Sequence, residues 1–502
     1  VILENGLVRT LDPHLAHQRA LALAGPLVAG GVGVHEFALP SREVVDLGGR
    51  TVLPGLVDAH VHFPSWALAR TEVSLAGCGS LEEALARVAA APRTPEGIIR
   101  GHGWRSGDWR PAAEPTRTLL DQVTGARPAA LLSRDHHSLW LNSAALALAG
   151  GDLDAPGGVV VRDETGAPSG VLREQAAWRF RQAHLQASAS ETLAAMRAGL
   201  RVAAARGVSA VHDKDGGLGA LGLWQRLEAD EALTLRVWQS LPHTELAALE
   251  TLGLRSGFGS ERLRIGYLKV FMDGALGSGT AALLDGSGVT LTSAEELAAA
   301  ARAGFPVAVH AIGDAANRSA LDAFESTRSL WAPLGLRQRV EHAQLVAPDD
   351  LARFGSLGVA CSVQFSHAPS DRDLAERAWG GRLAGAYAYR SLAAAGALLA
   401  NGSDAPIEEL DPLAGIRAGV RRTSDARPPW REQEAVGVEQ AFVASTWAPA
   451  WLEGQERFRG RLRPGYAADL VVLDRDPFED LDAEVVATMV AGRWVHNPPP
   501  WD

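Results

Sequence analysis

The stretch RIGYLKVFMDG, residues 264–274, is where the fold and the chemistry of this chain first become readable. Ile265, Tyr267, Val270 and Phe271 favour a strand, and the Asp-Gly pair that follows marks its end. Lys269 stands in the middle of this apolar run, where a charge is expensive. The chain has 48 basic residues, of which only Lys214 and Lys269 are lysines and 46 are arginines. A buried lysine shifts its pKa readily and can lose its proton, whereas arginine cannot. Position 269 therefore reads in two ways: a site that needs a neutral amine, or a composition accident whose amine reaches a surface.

Outward from this strand, short apolar segments alternate with Ala/Leu/Arg-rich helical ones, the pattern of βα units around a parallel sheet. Candidate strands end near His60, Asp213, Leu241, Phe271, His310, His342, Gln364 and Asp404. Helical patterns such as SAEELAAAARAG and RSLAAAGAL lie between them. Eight such strands predict an α/β fold, a closed (β/α)8 TIM barrel. The gap from the first strand to the second is too long for one helix. It predicts an α/β insertion at about 64–195 with strands of its own, AALLSRD and GGVVVRDETG among them. Both ends have another texture, of short strands broken by Gly, Asn and Asp-Pro. Neither end can close a sheet alone, so residues 1–50 and 455–502 are expected to form one composite β-sandwich, leaving 51–454 to the barrel.

Composition narrows the function. The chain has 502 residues, is 47% hydrophobic and carries a formal net charge of -11. That balance argues against a nucleic-acid or anionic-membrane partner, either of which leaves a basic footprint. Two cysteines, Cys78 and Cys361, make no disulfide framework and suggest a reducing, cytoplasmic setting. No apolar run approaches the ~18 residues of a membrane helix. The opening VILENGLVRTLDP has no basic n-region followed by an apolar h-region, so no signal peptide is read there.

His60, His62, Lys269, His310, His342 and Asp404 all fall at or just beyond the C-terminal ends of expected barrel strands, the face that carries active sites in this fold. His60-Val61-His62 alternates, so both imidazoles point to one side of the strand as a two-point metal grip. A lone HxH is weak evidence, and a single His in an apolar run is more often a satisfied core residue. The convergence of four His and one Asp on several strand ends gives the signal its specificity.

The blocks LPGLVDAHVH, LKVFMDGALGSGTAAL, VAVHAIGDAAN, VEHAQLV and NGSDAPIEELDPLAGI resemble the signature blocks of the amidohydrolase superfamily, and GYAADLVVLDRDP resembles its closing sandwich segment. The chain is most similar to the amidohydrolase-3 group, which includes the N-substituted formamide deformylases. The resemblance implies that His60 and His62 bind one divalent metal ion and His310 and His342 a second. It implies that Asp404 ligates the first ion and acts as general base. Lys269 matches a position where related enzymes carry a lysine carboxylated by carbon dioxide, whose carbamate bridges both ions. Carbamate formation needs a neutral amine, which answers the question raised by Lys269.

The activity so implied is hydrolysis of a non-peptide amide-type C–N bond of a small molecule by a hydroxide held between the ions. Zinc suits imidazole and carboxylate donors, as do iron, nickel and, less well, manganese. The insertion offers Trp104, Arg105, Trp109, His136 and His137 as walls of a substrate pocket, with His137 near the substrate carbonyl by resemblance. The plainer reading is that these aromatics pack the insertion. His367, after the seventh strand, is expected on the same face as a substrate contact, and Lys214 either meets substrate or pairs with Asp213 or Asp215. Two alternatives stand beside this one: a single-metal deaminase with an unmodified Lys269, and a scaffold that keeps the fold without catalysis. Scaffold members lose metal ligands, and all six are present here. A homodimer is the default assembly for a chain of this kind.

Overall fold

Eight parallel strands pair in chain order around the centre of the molecule. They are β1 (Leu56–Val61), β2 (Val208–Asp213), β3 (Arg236–Pro242), β4 (Leu263–Phe271), β5 (Val307–Ala311), β6 (Arg339–His342), β7 (Ala360–Val363) and β8 (Leu399–Asn401). The computed structural model describes residues 1–15, 17–31, 43–91, 97–134, 136–216, 219–288 and 293–501. Helices follow the strands as the alternation predicts. Ala294–Arg302, for example, begins at a capping box in which Ser293 and Glu296 satisfy each other's backbone N–H groups.

The barrel closes through residues beyond β8. Val61 bridges Ala405 in parallel, the Asp404 N–H donates to the His60 carbonyl (2.7 Å), and the His62 N–H donates to the Ala405 carbonyl (2.9 Å). Gly402 permits this approach, because a Cβ there would stand 2.3 Å from the His60 amide nitrogen. Asp58 adds a clamp, its carboxylate accepting from both the His60 and the Ser403 N–H at 3.0 Å.

Inside the barrel, Ala59, Ala308, Ala360 and Ala400 make room for two large rings, Trp238 and Tyr267. Phe305, Phe324, Val340, Phe354 and Trp379 belong to a larger buried apolar core. Alternation along the strands produces the two faces.

Two further sheets lie in the same unit. One orders Leu27–Gly30, Leu21–Ala24, Ile2–Glu4 and Val44–Asp46. The other orders Leu7–Val8, Thr51–Pro54, Leu470–Leu473, Val485–Val490 and Arg493–His496, so it joins strands from both ends of the chain. Leu3, Leu21, Leu23, Val52, Leu470, Val472 and Met489 share one buried core. The boundary at residue 50 needs correction. Thr51–Pro54 pairs antiparallel with Leu470–Leu473, so it belongs to the sandwich and not to the barrel.

Pro64–Met196 form a second compact unit. Its six-stranded sheet runs Gly158–Arg162, Pro168–Glu174, Ser138–Leu141, Ala129–Ser133, Ile99–Trp104, Val73–Ser74. Among the described residues, no helix is long and apolar enough to cross a membrane. Cys78 and Cys361 are buried free thiols.

Candidate metal centre

His60 and His62 flank the last residue of β1, and both direct Nε2 toward Asp404. The distances to Asp404 Oδ1 are 3.2 Å and 3.5 Å. Asp404 sits three residues past β8 with φ 58, a left-handed conformation that a non-glycine residue holds only when its surroundings enforce it. Here the closing hydrogen bonds to β1 do so. Burial works against the Asp404 charge, but His60, His62 and His342 outweigh it and hold the carboxyl well below its ordinary range. The His60, His62 and Asp404 donor atoms lie within 4.8 Å of one another.

A second group forms from His342, His367 and Asp404. His342 ends β6 with φ 75, and its Nδ1 lies 2.8 Å from Gln364 Oε1. An amide oxygen accepts, so Nδ1 carries the proton and Nε2 keeps its lone pair. His367 opens the short helix His367–Ser370 and accepts from Gln344 Nε2 at Nδ1 (3.1 Å). The His342 and His367 rings stack at 6.3 Å and 8°. His60 Nε2 and His367 Nε2 are buried without a hydrogen-bond partner. Buried nitrogens left this way are costly unless something takes them up. His367 Nε2 carries the ring proton, because Nδ1 accepts, and it faces Asp404 Oδ2 at 3.9 Å. His60 Nε2, whose Nδ1 faces the Glu341 carboxylate, keeps a lone pair that fits a cation.

His310 and Lys269 behave differently from the expected set. His310 is the penultimate residue of β5, and its ring lies 4.5 Å from that of His342. Its Nε2, however, donates to the Gly274 carbonyl at 3.0 Å, so it joins neither group of converging donors. Burial pushes its pKa down to about 3, with the Lys269 charge adding to the effect, so the ring is neutral at physiological pH. Lys269 is buried on β4 with Nζ 4.9 Å from the centre of the Phe271 ring. It makes no hydrogen bond or ion pair among the described residues. Burial lowers its pKa, and the Glu341 and Asp404 charges oppose this only in part. The neutral amine is therefore more accessible than in an ordinary lysine.

Lys214 pairs with neither Asp213 nor Asp215. Its Nζ donates to Ser240 Oγ (3.0 Å) and lies 3.6 Å from Glu341 Oε1. The expected pairing fails because the side chain turns into the barrel and is buried. Glu341 itself is a residue the motif reading passed over. Its carboxylate meets His60 Nδ1 at 2.7 Å and Arg339 Nε at 2.7 Å. The signal was present in RVEH: Arg339 and Glu341 alternate around Val340 in a central strand, so both must face the barrel interior.

In the insertion unit, Trp104 is a core residue, 6% exposed, packed with Trp109 and Trp140 and donating from Nε1 to the Leu131 carbonyl at 2.8 Å. This favours packing over a pocket wall, since an indole so covered has little surface left. Arg105 lies 4.0 Å from Asp108. His137 Nδ1 is 2.8 Å from Glu174 Oε2, and its ring lies 5.4 Å from that of Trp178.

A model of the amidohydrolase family matches residues 43–496. The chain belongs to the amidohydrolase family. It is 31% identical to Protein LONG AFTER FAR-RED 3 of Arabidopsis thaliana, over 99% of this chain and 91% of that one. It is 27% identical to the N-substituted formamide deformylase of Arthrobacter pascens, over 98% and 96%. Among solved structures, an uncharacterized metal-dependent hydrolase from Pyrococcus furiosus is 30% identical. Its TM-score is 0.78, covering 95% of this chain and 99% of that one. The eight-stranded barrel is thus the family's hydrolase barrel.

Proposed function

We propose that this amidohydrolase is a metal-dependent enzyme that hydrolyses a non-peptide amide-type C–N bond in a small molecule. The observation that carries the proposal is the convergence of His60, His62, His342 and Asp404 donor atoms, with His60 Nε2 buried and unpartnered, next to a lysine that has no counter-ion among the described residues. Likeness to an N-substituted formamide deformylase supports the bond type.

The donor set fits divalent ions, with zinc well suited to imidazole and carboxylate. His60, His62 and Asp404 would hold one. His342 would hold a second together with His310, whose Nε2 would have to leave the Gly274 carbonyl, and with Lys269 carboxylated. The Lys269 amine attacks the carbon of carbon dioxide and releases a proton to solvent, so the side chain becomes an anion. Ions bound there would lower the pKa of bound water toward neutral and would polarise a scissile carbonyl.

Asp404 does the proton work. Its carboxylate takes a proton from the attacking water as the new C–O bond forms. It then gives that proton to the nitrogen as the C–N bond breaks, so the products are a carboxylic acid and an amine. The backbone hydrogen bonds between β1 and the Asp404 segment hold the carboxylate in place for both steps.

The test is a screen of N-formyl and N-acyl amines on protein purified without chelator, scored by amine release, with Asp404→Asn as control. Release by the wild type and near-complete loss in the folded variant support the reading. Equal release by both removes Asp404 from its role. A second reading keeps a single ion on His60, His62 and Asp404, because His310 Nε2 is engaged by a backbone carbonyl. Ammonia release from aminated heterocycles would mark that deaminase.

A further inference from the structure

Glu341 lies inside the barrel, and no step of the proposed chemistry uses it. It is fully buried, where an ionised carboxylate is costly unless cations and donors replace its water. Two cations do so: Arg339 Nε at 2.7 Å from Oε1, and Lys214 Nζ at 3.6 Å from the same oxygen. Arg339 is fixed from the other side, where its NH1 donates to His212 Nδ1 at 2.9 Å, and His212 Nε2 donates to Glu453 Oε1 at 2.9 Å. Tyr267 lies beneath both cations, 4.4 Å from the Arg339 guanidinium and 5.5 Å from Lys214 Nζ. The carboxylate therefore has one oxygen for its counter-ions and one, Oε2, for His60 Nδ1 at 2.7 Å.

That second contact has a chemical consequence. An ionised carboxylate only accepts, so the proton of a neutral His60 must sit on Nδ1. The lone pair is then on Nε2, the nitrogen that is buried without a hydrogen-bond partner and lies 3.2 Å from Asp404 Oδ1. We propose that Glu341 is the positioning residue of the metal centre: it fixes the tautomer and ring orientation of His60 so that Nε2 is offered to a cation, and Lys214 with Arg339 keeps it charged for that task. The inference rests on the metal reading of the site. It also gives the second lysine of the chain a role: Lys214 is a buried counter-ion, while Lys269 is the amine without one.

Partners of this kind typically change metal affinity by about 10- to 100-fold. Glu341→Gln keeps size and one accepting oxygen but removes the charge. Zinc affinity, measured by competition with a chromophoric chelator on metal-stripped full-length protein, is expected to fall by that factor. The visible spectrum of the cobalt-loaded variant is expected to shift. A general structural defect would weaken binding whether or not His60 is present, so the same substitution is made in a His60→Ala background, where the effect should vanish. Lys214→Met is the second variant, with the same direction and the same dependence on His60. Unchanged affinity in Glu341→Gln, or an equal loss without His60, overturns the inference. A wild type that binds no divalent ion overturns the metal reading itself, and the two failures are distinguishable.

Discussion

Lys269 and Lys214 show how one residue type takes opposite roles a short distance apart in one barrel. Lys214 has a carboxylate and a hydroxyl, so its charge is supported. Lys269 has no carboxylate or hydroxyl among the described residues, only the face of the Phe271 ring, and burial lowers its pKa. Lys269→Arg should therefore lose nearly all turnover while melting within a few degrees of the wild type, since guanidinium cannot form a carbamate. Carbon-13 NMR of protein equilibrated with labelled carbon dioxide should show a carbamate resonance that this variant lacks. A resonance that persists in the variant would assign the carbamate elsewhere. Lysine scarcity made position 269 legible in the sequence, and the His-x-His alternation made His60 and His62 legible. Glu341 was harder: RVEH announces Arg339, but the other partners, His60 on β1 and Lys214 just past β2, are distant in sequence and no local spacing announces them. His367 was expected as a substrate contact, and its approach to Asp404 at 3.9 Å depends on the turn after β7, which no spacing announces.

At the scale of elements, the strands were legible because each is a short apolar run followed by a polar break. The end of β8 was less so. Asp404 reads as a strand end, but the strand stops at Asn401, and Gly402 and Ser403 carry the chain across to β1. Gly402→Ala tests this crossing. The added methyl meets the His60 backbone, and overpacking of this kind costs about 1–3 kcal/mol. Because the same segment carries Asp404, zinc affinity should fall together with the denaturant midpoint. A variant that loses stability but binds zinc as before would uncouple barrel closure from the site. Thr51–Pro54 was assigned to the wrong sheet for a related reason. A strand of TVLP is apolar enough for either, and only its partner, Leu470–Leu473, decides.

For the whole molecule, the eight ends of one parallel sheet bring residues more than 340 positions apart to one centre. His60 and Asp404 are joined by barrel closure. Ions bound only by the folded barrel must stabilise it, by about 2.7 kcal/mol at a hundred times the dissociation constant. Chelation should lower the melting temperature and added zinc should restore it, with no such response in a His60→Ala, Asp404→Asn double variant. The central claim is that this convergence is a two-ion centre bridged through Lys269. Elemental analysis of metal per chain, on protein purified without chelator, tests it most directly. The account predicts about two divalent ions per chain, falling to about one in Lys269→Arg. A wild type with one ion or none, or a variant that still holds two, would contradict it.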